Sequence, residues 1–499
     1  MFIKFILNKP YKHIIRGDIY MSKNEGDFVK EITNIEKNFA RWYTDIVLKA
    51  DLADYTDTKG CIAIKPYGYA IWENIQKYAD DKFKKSGVKN IYLPVLIPES
   101  LLNKEQEHVE GFAPEVAWVT MGGQEVLEER LCIRPTSETM FSTLYSKWVK
   151  SWRDLPMVYN QWCNVLRWEK ETRPFLRSRE FLWQEGHTIH STEKEAVERT
   201  LQMLEIYADV IENLLAIPVI KGRKTDKEKF AGAIDTYTVE TLMHDGRALQ
   251  AGTSHYLGQN FTKSFNVKFQ NKNGEDEFAY QTSWGISTRL IGAVIMAHGD
   301  NRGLKLPPRV APIQAVIVPI AMNKEGVKGK AEELGRLLSE KYRIECDTRD
   351  YTPGYKFNDW EMKGVPIRIE IGPRDIENGE CVLVRRDTHE KTTIRLDEIE
   401  IKLGEILEQI QENMYNQCKE NMKKKTSIAH TLDEFIEKIN TNQGFIKTMW
   451  CGSQECEDKI KEQTGAHARC IPFKQECVGD KCVVCGKPAD TFIIWGRQY

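Results

Sequence analysis

Acidic residues are missing from the start of this chain. Its first 20 residues, MFIKFILNKPYKHIIRGDIY, carry Lys4, Lys9, Lys12, His13 and Arg16, and no Asp or Glu before Asp18. A targeting peptide has that bias, but the apolar stretch is short and Pro10 interrupts it. A loose extension over 1–23 is the better expectation, with Met21 a second possible start. A run of about 18 apolar residues is also missing, which excludes a membrane-spanning helix. Neither charge sign is in surplus: 71 Lys plus Arg face 73 Asp plus Glu, for a formal charge of −2. Contact with RNA must then come from local patches and not from a global field. Signs of a disulfide framework are weak. Of 12 cysteines, Cys61, Cys132, Cys163, Cys346, Cys381 and Cys418 are scattered, while six crowd between Cys451 and Cys485. Scattered thiols without a signal peptide fit a reducing cytoplasm, and the crowd reads as a metal site first.

The chain does have length and an ordinary globular balance. Its 499 residues are 41% hydrophobic and 29% charged, enough for about two to four domains. The stretch 157–190, MVYNQWCNVLRWEKETRPFLRSREFLWQEGHTIH, is the most informative. Runs at 157–169 and 180–189, rich in Val, Trp, Phe and Leu, predict an antiparallel pair joined by a charged connector containing Pro174. Side chains two apart share a strand face. Arg167 and Glu169 then point one way, as do Phe181, Trp183, Glu185 and His187 on the returning strand. That face is a poor hydrophobic core and a good cradle for a nucleotide and a small charged molecule. Arg173, Arg177 and Arg179 on the connector suit phosphates. The plain alternative is an edge hairpin with solvated charges.

Around it, 24–50 reads as an amphipathic helix, and 69–85 as a helix closing at Gly87. The run 91–97 reads as an edge strand carrying Pro94, either a dimer seam or plain core packing. Thr136 and Glu138 follow Pro135 before a helix from about 139, as a cap or as functional groups. A helix is expected over 193–215, then a second antiparallel pair at 236–243 and 248–257. Thr253 and His255 share a face there, and Gln250 joins them only if Gly252 marks a bulge. Ser283 and Gly285 close a further strand before an apolar helix, 288–297, whose first turns carry only Arg289 as a charge. An isolated Arg at a buried helix start needs an anion, either a carboxylate of the protein or a triphosphate.

A proline-punctuated linker, 306–312, precedes alternating strands (315–320, 343–347, 366–371, 381–386) and a helix (327–342), predicting a small α/β domain with a mixed sheet. Its Phe357, Trp360, Glu361, Lys363 and Arg386 read as a solvated face, with base and phosphate readers as the sharper alternative. A charged helix, 397–425, leads to the cysteines. Cys451 and Cys456 form C-x4-C, and Cys482 and Cys485 form C-x2-C, two knuckles suited to a closed, structural tetrahedral zinc. Spacing alone leaves Cys470 and Cys477 open as ligands.

Taken together, RPTSE (134–138), VLRWE (165–169), LRSREFLWQEGH (176–187), QAGTSH (250–255), SWGISTRLIGAVIMAHGD (283–300) and the terminal GRQY are highly specific. Over 24–499 the chain resembles class II aminoacyl-tRNA synthetases, most closely the archaeal and eukaryote-like prolyl type. The resemblance implies an α+β fold: a catalytic domain (24–305) with a six-stranded antiparallel sheet, an α/β anticodon-binding domain (312–405) and a zinc-binding C-terminal domain (406–499). It implies a homodimer, with ATP, L-proline and tRNA(Pro) as partners and Mg²⁺ and structural Zn²⁺ as ions. By matching position, Thr136, Glu138, Arg167, Trp183, Glu185, His187, His255, Ser283 and Gly285 would form the proline pocket. Arg167, Glu169, Arg177, Phe181, Gln250, Thr253 and Arg289 would hold ATP, with Arg167 and Arg289 acting on the phosphates. Tyr499 would reach back toward the site. Only 95 residues lie between His187 and Ser283, too few for the editing domain of bacterial-type relatives. The rivals are a synthetase for threonine, serine or glycine, and a non-catalytic synthetase-like binder. A threonyl site would be expected to hold catalytic zinc, and the second rival is disfavoured because Arg167 and Arg289 are both present.

Overall fold

A computed structural model describes residues 31–108 and 115–499. The expected N-terminal extension, targeting signal and helix start at Asn24 lie outside the described residues. The first described helix is Phe39–Lys49, capped by the Asn38 side chain, which accepts from the Arg41 backbone amide.

The catalytic sheet is built as the patterning predicts. Met157–Leu166 and Glu180–His190 pair antiparallel, with Tyr159 opposite His187 and Cys163 opposite Trp183. Glu180–His190 then pairs with Tyr280–Ser287, which pairs with Ala248–Gly258, Asp235–Leu242 and Ile220–Arg223 in turn. These are the six antiparallel strands. The sheet is longer than that, however. Lys89–Asn90 adds a short parallel edge beside Met157–Leu166. At the other end Ile471 and Pro472 pair with Arg223 and Gly222, so four C-terminal strands continue one 11-stranded sheet. The boundary at 406 divides the sequence but not this sheet.

Helix Glu193–Asp209, ending in a π-helical turn at Val210–Leu214, covers the back of the sheet. The Ser254 hydroxyl donates to the Thr200 carbonyl at 2.7 Å, and Tyr207 Oη to Gln184 Oε1 at 2.7 Å. Helix Pro66–Lys85 starts with proline at its first turn and is followed by Gly87 at φ +87°. It buries Ile71, Trp72, Ile75, Ala79 and Phe83 in the same core. The strand expected at 91–97 is not there. Lys89–Asn90 and Leu96–Pro98 are separate short strands of different sheets, and Pro94 lies between them. Proline has no amide to donate, so pairing breaks at this point. Residues 188–282 are used up by the helix and strands just described together with short Asn260–Ser264, Lys268–Gln270 and Asp276–Phe278.

The linker is not loose: Leu306, Val310 and Ala311 are buried in the catalytic core. The next domain has a mixed sheet in the order Ile344–Cys346, Ala315–Pro319, Ile367–Ile371, Glu380–Arg385, Lys391–Arg395. Three elements escaped the sequence reading: helices Pro353–Met362 and Pro373–Asn378 and strand Lys391–Arg395. The supposed solvated face is also corrected. Trp360 Nε1 donates to Asp347 Oδ2 at 2.8 Å, Arg368 stacks over Phe357 at 3.9 Å, and Lys363 Nζ lies 3.5 Å from Asp51. Buried Arg386 forms a fork on Asp300 of the catalytic domain, at 2.9 and 2.7 Å. Part of this face is thus a domain seam. Helix Ile399–Lys424 then leads to the C-terminal domain. Among the described residues no helix is long and apolar enough to cross a membrane.

Candidate active site

The open face of the sheet carries a cavity of about 270 Å³. Strand alternation puts Phe181, Trp183, Glu185 and His187 on its wall from one strand, and Ser283, Gly285 and Ser287 from the next. Gln250, Thr253 and His255 come from Ala248–Gly258. Val239 faces Gly252 while Glu240 faces Gln250, so Ala251 is the extra residue of a bulge. The bulge expected at Gly252 is present, and it brings Gln250 onto the site face. Arg167, just beyond its strand, and Arg289, the first residue of helix Arg289–His298, line the same cavity with Thr136 and Glu138.

The turn bearing Thr136 is pinned by buried Arg134, which donates to the carbonyls of Leu93 at 2.7 Å and Asn164 at 2.9 Å. Glu138 begins helix Glu138–Trp148, and the Thr136 hydroxyl donates to its carboxylate. No side-chain capping bond forms at this helix start, so capping does not explain these residues. Glu185 accepts from Ser137 Oγ at 2.5 Å, Gln161 Nε2 at 2.6 Å and His187 Nε2 at 2.9 Å. Burial works to raise its pKa, but His187, Ser137 and Gln161 hold the carboxyl below its ordinary range. His187 also stacks on Phe141 at 4.2 Å. Burial pushes His255 down to about 3, with His187 adding to the effect, and its Nδ1 lies 2.9 Å from Thr236 Oγ1.

The cations are unsatisfied in a telling way. The Arg167 guanidinium stands over Phe181 at 5.5 Å and Trp183 at 5.2 Å, and its Nε donates only to the Pro135 carbonyl at 3.1 Å. Burial lowers its pKa, while the charges of Glu138, Glu185 and Glu169 favour its protonated form. Arg289 makes only long contacts, 3.4 Å each, to the carbonyls of Leu176 and Gln250. Burial, then repulsion from Arg167, Arg177 and Arg469, pulls it down to about 10. Among the described residues neither guanidinium forms a salt bridge, so the protein-carboxylate alternative for Arg289 fails. Trp183 Nε1, His187 Nδ1 and Ser283 Oγ are buried without a partner in the same cavity. Buried donors and acceptors are seldom left so, and a polar ligand would satisfy them.

A second cavity of about 370 Å³ shares Gln250 and Arg289 with the first and adds Arg173, Arg177, Arg247, Arg469, Gln498 and Tyr499. The C-terminal tail thus does reach back: Gln498 bridges to Ala248, and Arg247 lies over the Tyr499 ring at 5.5 Å. Of the sequence candidates, Glu169 lines neither cavity and acts only through its charge on Arg167. Arg179 stacks on Trp168 at 4.1 Å and lines neither cavity. Sequence reasoning missed Glu228, Phe230, Thr236, Trp284 and Ser287 of the first cavity and Arg469 of the second. Alternation with Gly285 and Ser283 could have flagged Ser287. Nothing periodic marks Glu228, Phe230 or Arg469.

In the C-terminal domain the thiols of Cys451, Cys456, Cys482 and Cys485 all lie within 4.8 Å of one another. The Cys451–Cys456 and Cys451–Cys485 sulfur pairs are each 3.7 Å apart. A tetrahedron with Zn–S bonds of about 2.3 Å has sulfur–sulfur edges of about 3.8 Å, so the four thiols fit that ion. The Lys487 backbone amide pulls the Cys485 thiol down to about 7, while burial raises those of Cys451 and Cys456. Cys470 is buried in a strand, and Cys477 points at the Gly479 carbonyl at 3.4 Å. Neither belongs to the cluster.

Comparisons with known proteins agree with this anatomy. Residues 118–298 match the tRNA synthetase class II core domain (G, H, P, S and T), 314–406 an anticodon binding domain, and 432–499 the prolyl-tRNA synthetase C-terminal domain. A proline–tRNA ligase of Clostridium novyi is 59% identical over 479 residues, covering 96% of this chain and 100% of that protein. One from Clostridium botulinum (strain Langeland) is 59% identical over 95% of this chain and 99% of its own length. One from Ruminiclostridium cellulolyticum is 59% identical over 94% and 98%. Likeness at that level along nearly the whole length of both chains means that this chain belongs to the prolyl-tRNA synthetase family of class II aminoacyl-tRNA synthetases.

Proposed function

We propose that the chain is a proline–tRNA ligase: it joins L-proline to the α-phosphate of ATP and then passes the prolyl group to the 3′-terminal ribose of tRNA(Pro). The observation that carries this reading is one pocket lined both by two guanidiniums that form no salt bridge, Arg167 and Arg289, and by a Glu138–Glu185–His187 cluster. The guanidiniums suit polyphosphate and the carboxylates a small cationic amine.

The carboxylate of proline is ionised at neutral pH, so its activation requires no general base. One of its oxygens attacks the α-phosphorus, a new P–O bond forms, and the bond to the bridging oxygen breaks with its electron pair leaving on pyrophosphate. The protein must bring two anions into line and neutralise the charge between them. Arg167 has the fork to touch both the α-phosphate and the attacking carboxylate. Phe181 supplies a plate for adenine. Arg289 and Arg177 take the distal phosphates, with Gln250 and Thr253 completing the nucleotide site and Glu169 acting on it through its charge on Arg167. Glu138 pairs the secondary ammonium of proline, and Trp183 walls the ring. Thr136, Glu185, His187, His255, Ser283 and Gly285 shape the rest. Mg²⁺, when bound, screens the remaining phosphate charge. Cys451, Cys456, Cys482 and Cys485 would hold a zinc ion through four thiolates, and its role there would be structural.

The finer parts of the reading have separate support. Exposed Tyr92, Leu96, Met121 and Val126 lie on or beside the small sheet of Leu96–Pro98, Trp118–Gly122 and Glu125–Ile133. An apolar patch of this kind suits a homodimer seam. Free thiols outside the metal cluster suit the cytoplasm. Residues 188–282 hold no inserted domain, so clearance of misactivated alanine is not expected in cis.

The test is ATP–pyrophosphate exchange against a panel of amino acids. Proline should support exchange, with alanine disfavoured by about 1–3 kcal/mol, the scale set by a pocket a few carbons larger. Exchange with threonine, serine or glycine as strong as with proline would overturn the assignment.

A further inference from the structure

Residues 224–234 connect two strands of the catalytic sheet, and two of their side chains, Glu228 and Phe230, line the first cavity. Phe230 lies 4.7 Å from the His255 ring, and its amide donates to Thr236 Oγ1 at 2.9 Å. This segment therefore forms part of the wall that proline would meet. The catalytic domain holds its second half: Asn260 donates to the Gly232 carbonyl at 2.9 Å, and Phe230, Ala231 and Ala233 pack in a core cluster with Leu257 and Phe261. The first half is held by the last 50 residues of the chain.

The Thr225 hydroxyl donates to Glu457 at 3.0 Å, both residues buried and 232 positions apart. Lys227 pairs with Asp458. His467 Nδ1 lies 3.0 Å from the Glu228 carboxylate. Buried Lys224 reaches Glu240 at 2.8 Å, and Arg469 grips the other oxygen of the same carboxylate at 2.9 and 2.7 Å. Four positions in a five-residue run are thus tied to the C-terminal domain, directly or through Glu240. Glu457, in the first turn of helix Gln454–Thr464, and Asp458 after it follow the cluster cysteine Cys456. His467 and Arg469 sit on the strand that extends the catalytic sheet.

We infer that the C-terminal domain is a clamp on the amino-acid pocket, with Glu457, Asp458 and His467 as positioning residues that hold the 225–230 segment, and with it Glu228 and Phe230, against the site. None of the three lines the substrate cavities; each acts through the segment it grips. The half-buried Lys227–Asp458 pair adds little alone, since ion pairs in contact with solvent are weak. The buried Thr225–Glu457 bond and the His467–Glu228 contact carry most of the constraint. Phe230 lies against His255 of the proposed proline pocket, so the clamp acts first on proline binding.

The inference rests on the function proposed above, and the full-length protein separates the two. Wild-type exchange with proline tests the function, and the variants test the clamp. His467→Ala should raise KM for proline by about tenfold, as misplacement of a site wall does, with KM for ATP, kcat and the thermal midpoint nearly unchanged. His467→Asn carries an amide N–H near the Nδ1 position and should restore most of the loss. Thr225→Val should reproduce the His467→Ala effect from the other side of the seam. An unchanged KM for proline in both His467→Ala and Thr225→Val, against an active wild type, would overturn the clamp. So would a uniform fall in kcat and both affinities, tracking lost stability and not rescued by asparagine.

Discussion

Arg167 and Arg289 are the residues on which the chemistry turns, because desolvated guanidiniums without carboxylate partners are held ready for an anion. Replacing Arg167 by Ala should lower proline-dependent exchange by at least about 100-fold, the usual scale for losing one charge-stabilising donor, with circular dichroism unchanged. Near-normal exchange would remove it from the mechanism. Two buried histidines give a pH signature of another kind. Burial, with help from Arg199, pushes His190 down to about 3, and burial pushes His298 down to about 4 despite its bond to the Leu215 carbonyl. An unfolded histidine takes up its proton near pH 6.5, which the folded chain refuses until much lower pH. The stability these groups contribute is therefore complete above about pH 6.5 and is lost as pH falls, by at most about 1.4 kcal/mol per unit for each histidine. Unfolding midpoints measured between pH 7 and pH 5 should fall, and the fall should be shallower in His190→Gln. An identical slope in that variant would contradict the assignment.

At the scale of elements, the pocket depends on how closely two strands approach. Gly186 faces Trp284 across the sheet, and a Cβ at Gly186 would sit 2.1–2.2 Å from the indole ring. Gly186→Ala must displace Trp284, which lines the cavity, and should destabilise the chain by about 1–3 kcal/mol. Exchange activity should fall with it; a variant with wild-type stability and activity would show that the sheet can open there. The sequence made the strands legible, since alternation placed Phe181, Trp183, Glu185 and His187 together and a strand glycine flagged the bulge near Gly252. It did not make Glu228 and Phe230 legible. They lie on a connector with no period, and the partner of Glu228 is 239 positions away. Pro94 misled for a local reason: its neighbours have strand propensity, but the missing amide splits the pairing between two sheets.

For the whole molecule, domains adjacent in sequence are fastened by specific charge contacts and not only by a linker. Arg386, taken from sequence for an exposed group, forks onto Asp300. Burial opposes ionisation of Asp300, but Arg386 and Lys305 hold its carboxyl well below the usual carboxylate range. Its contribution is present at neutral pH and is lost only as pH falls below about 4, the ordinary aspartate value. Asp300→Asn leaves the buried guanidinium without a counter-charge and should loosen the seam by about 3 kcal/mol. Faster proteolysis near 306–312 would report this, whereas unchanged digestion would mean that the buried linker alone holds the domains.

By itself the amino-acid sequence determined the family, the order of domains, the catalytic strands and the two cysteine knuckles, because alternation and short-range spacing carry that information; that Cys470 and Cys477 stand apart from the cluster took the structure. Only the tertiary structure decided that one sheet runs through two domains, that Glu169 stands outside both cavities, and that Arg386 is spent on a domain seam. It also decided that Arg469 and the 225–230 segment belong to the site. These facts depend on which surfaces meet after folding, and contacts between residues hundreds of positions apart leave no periodic trace in the chain.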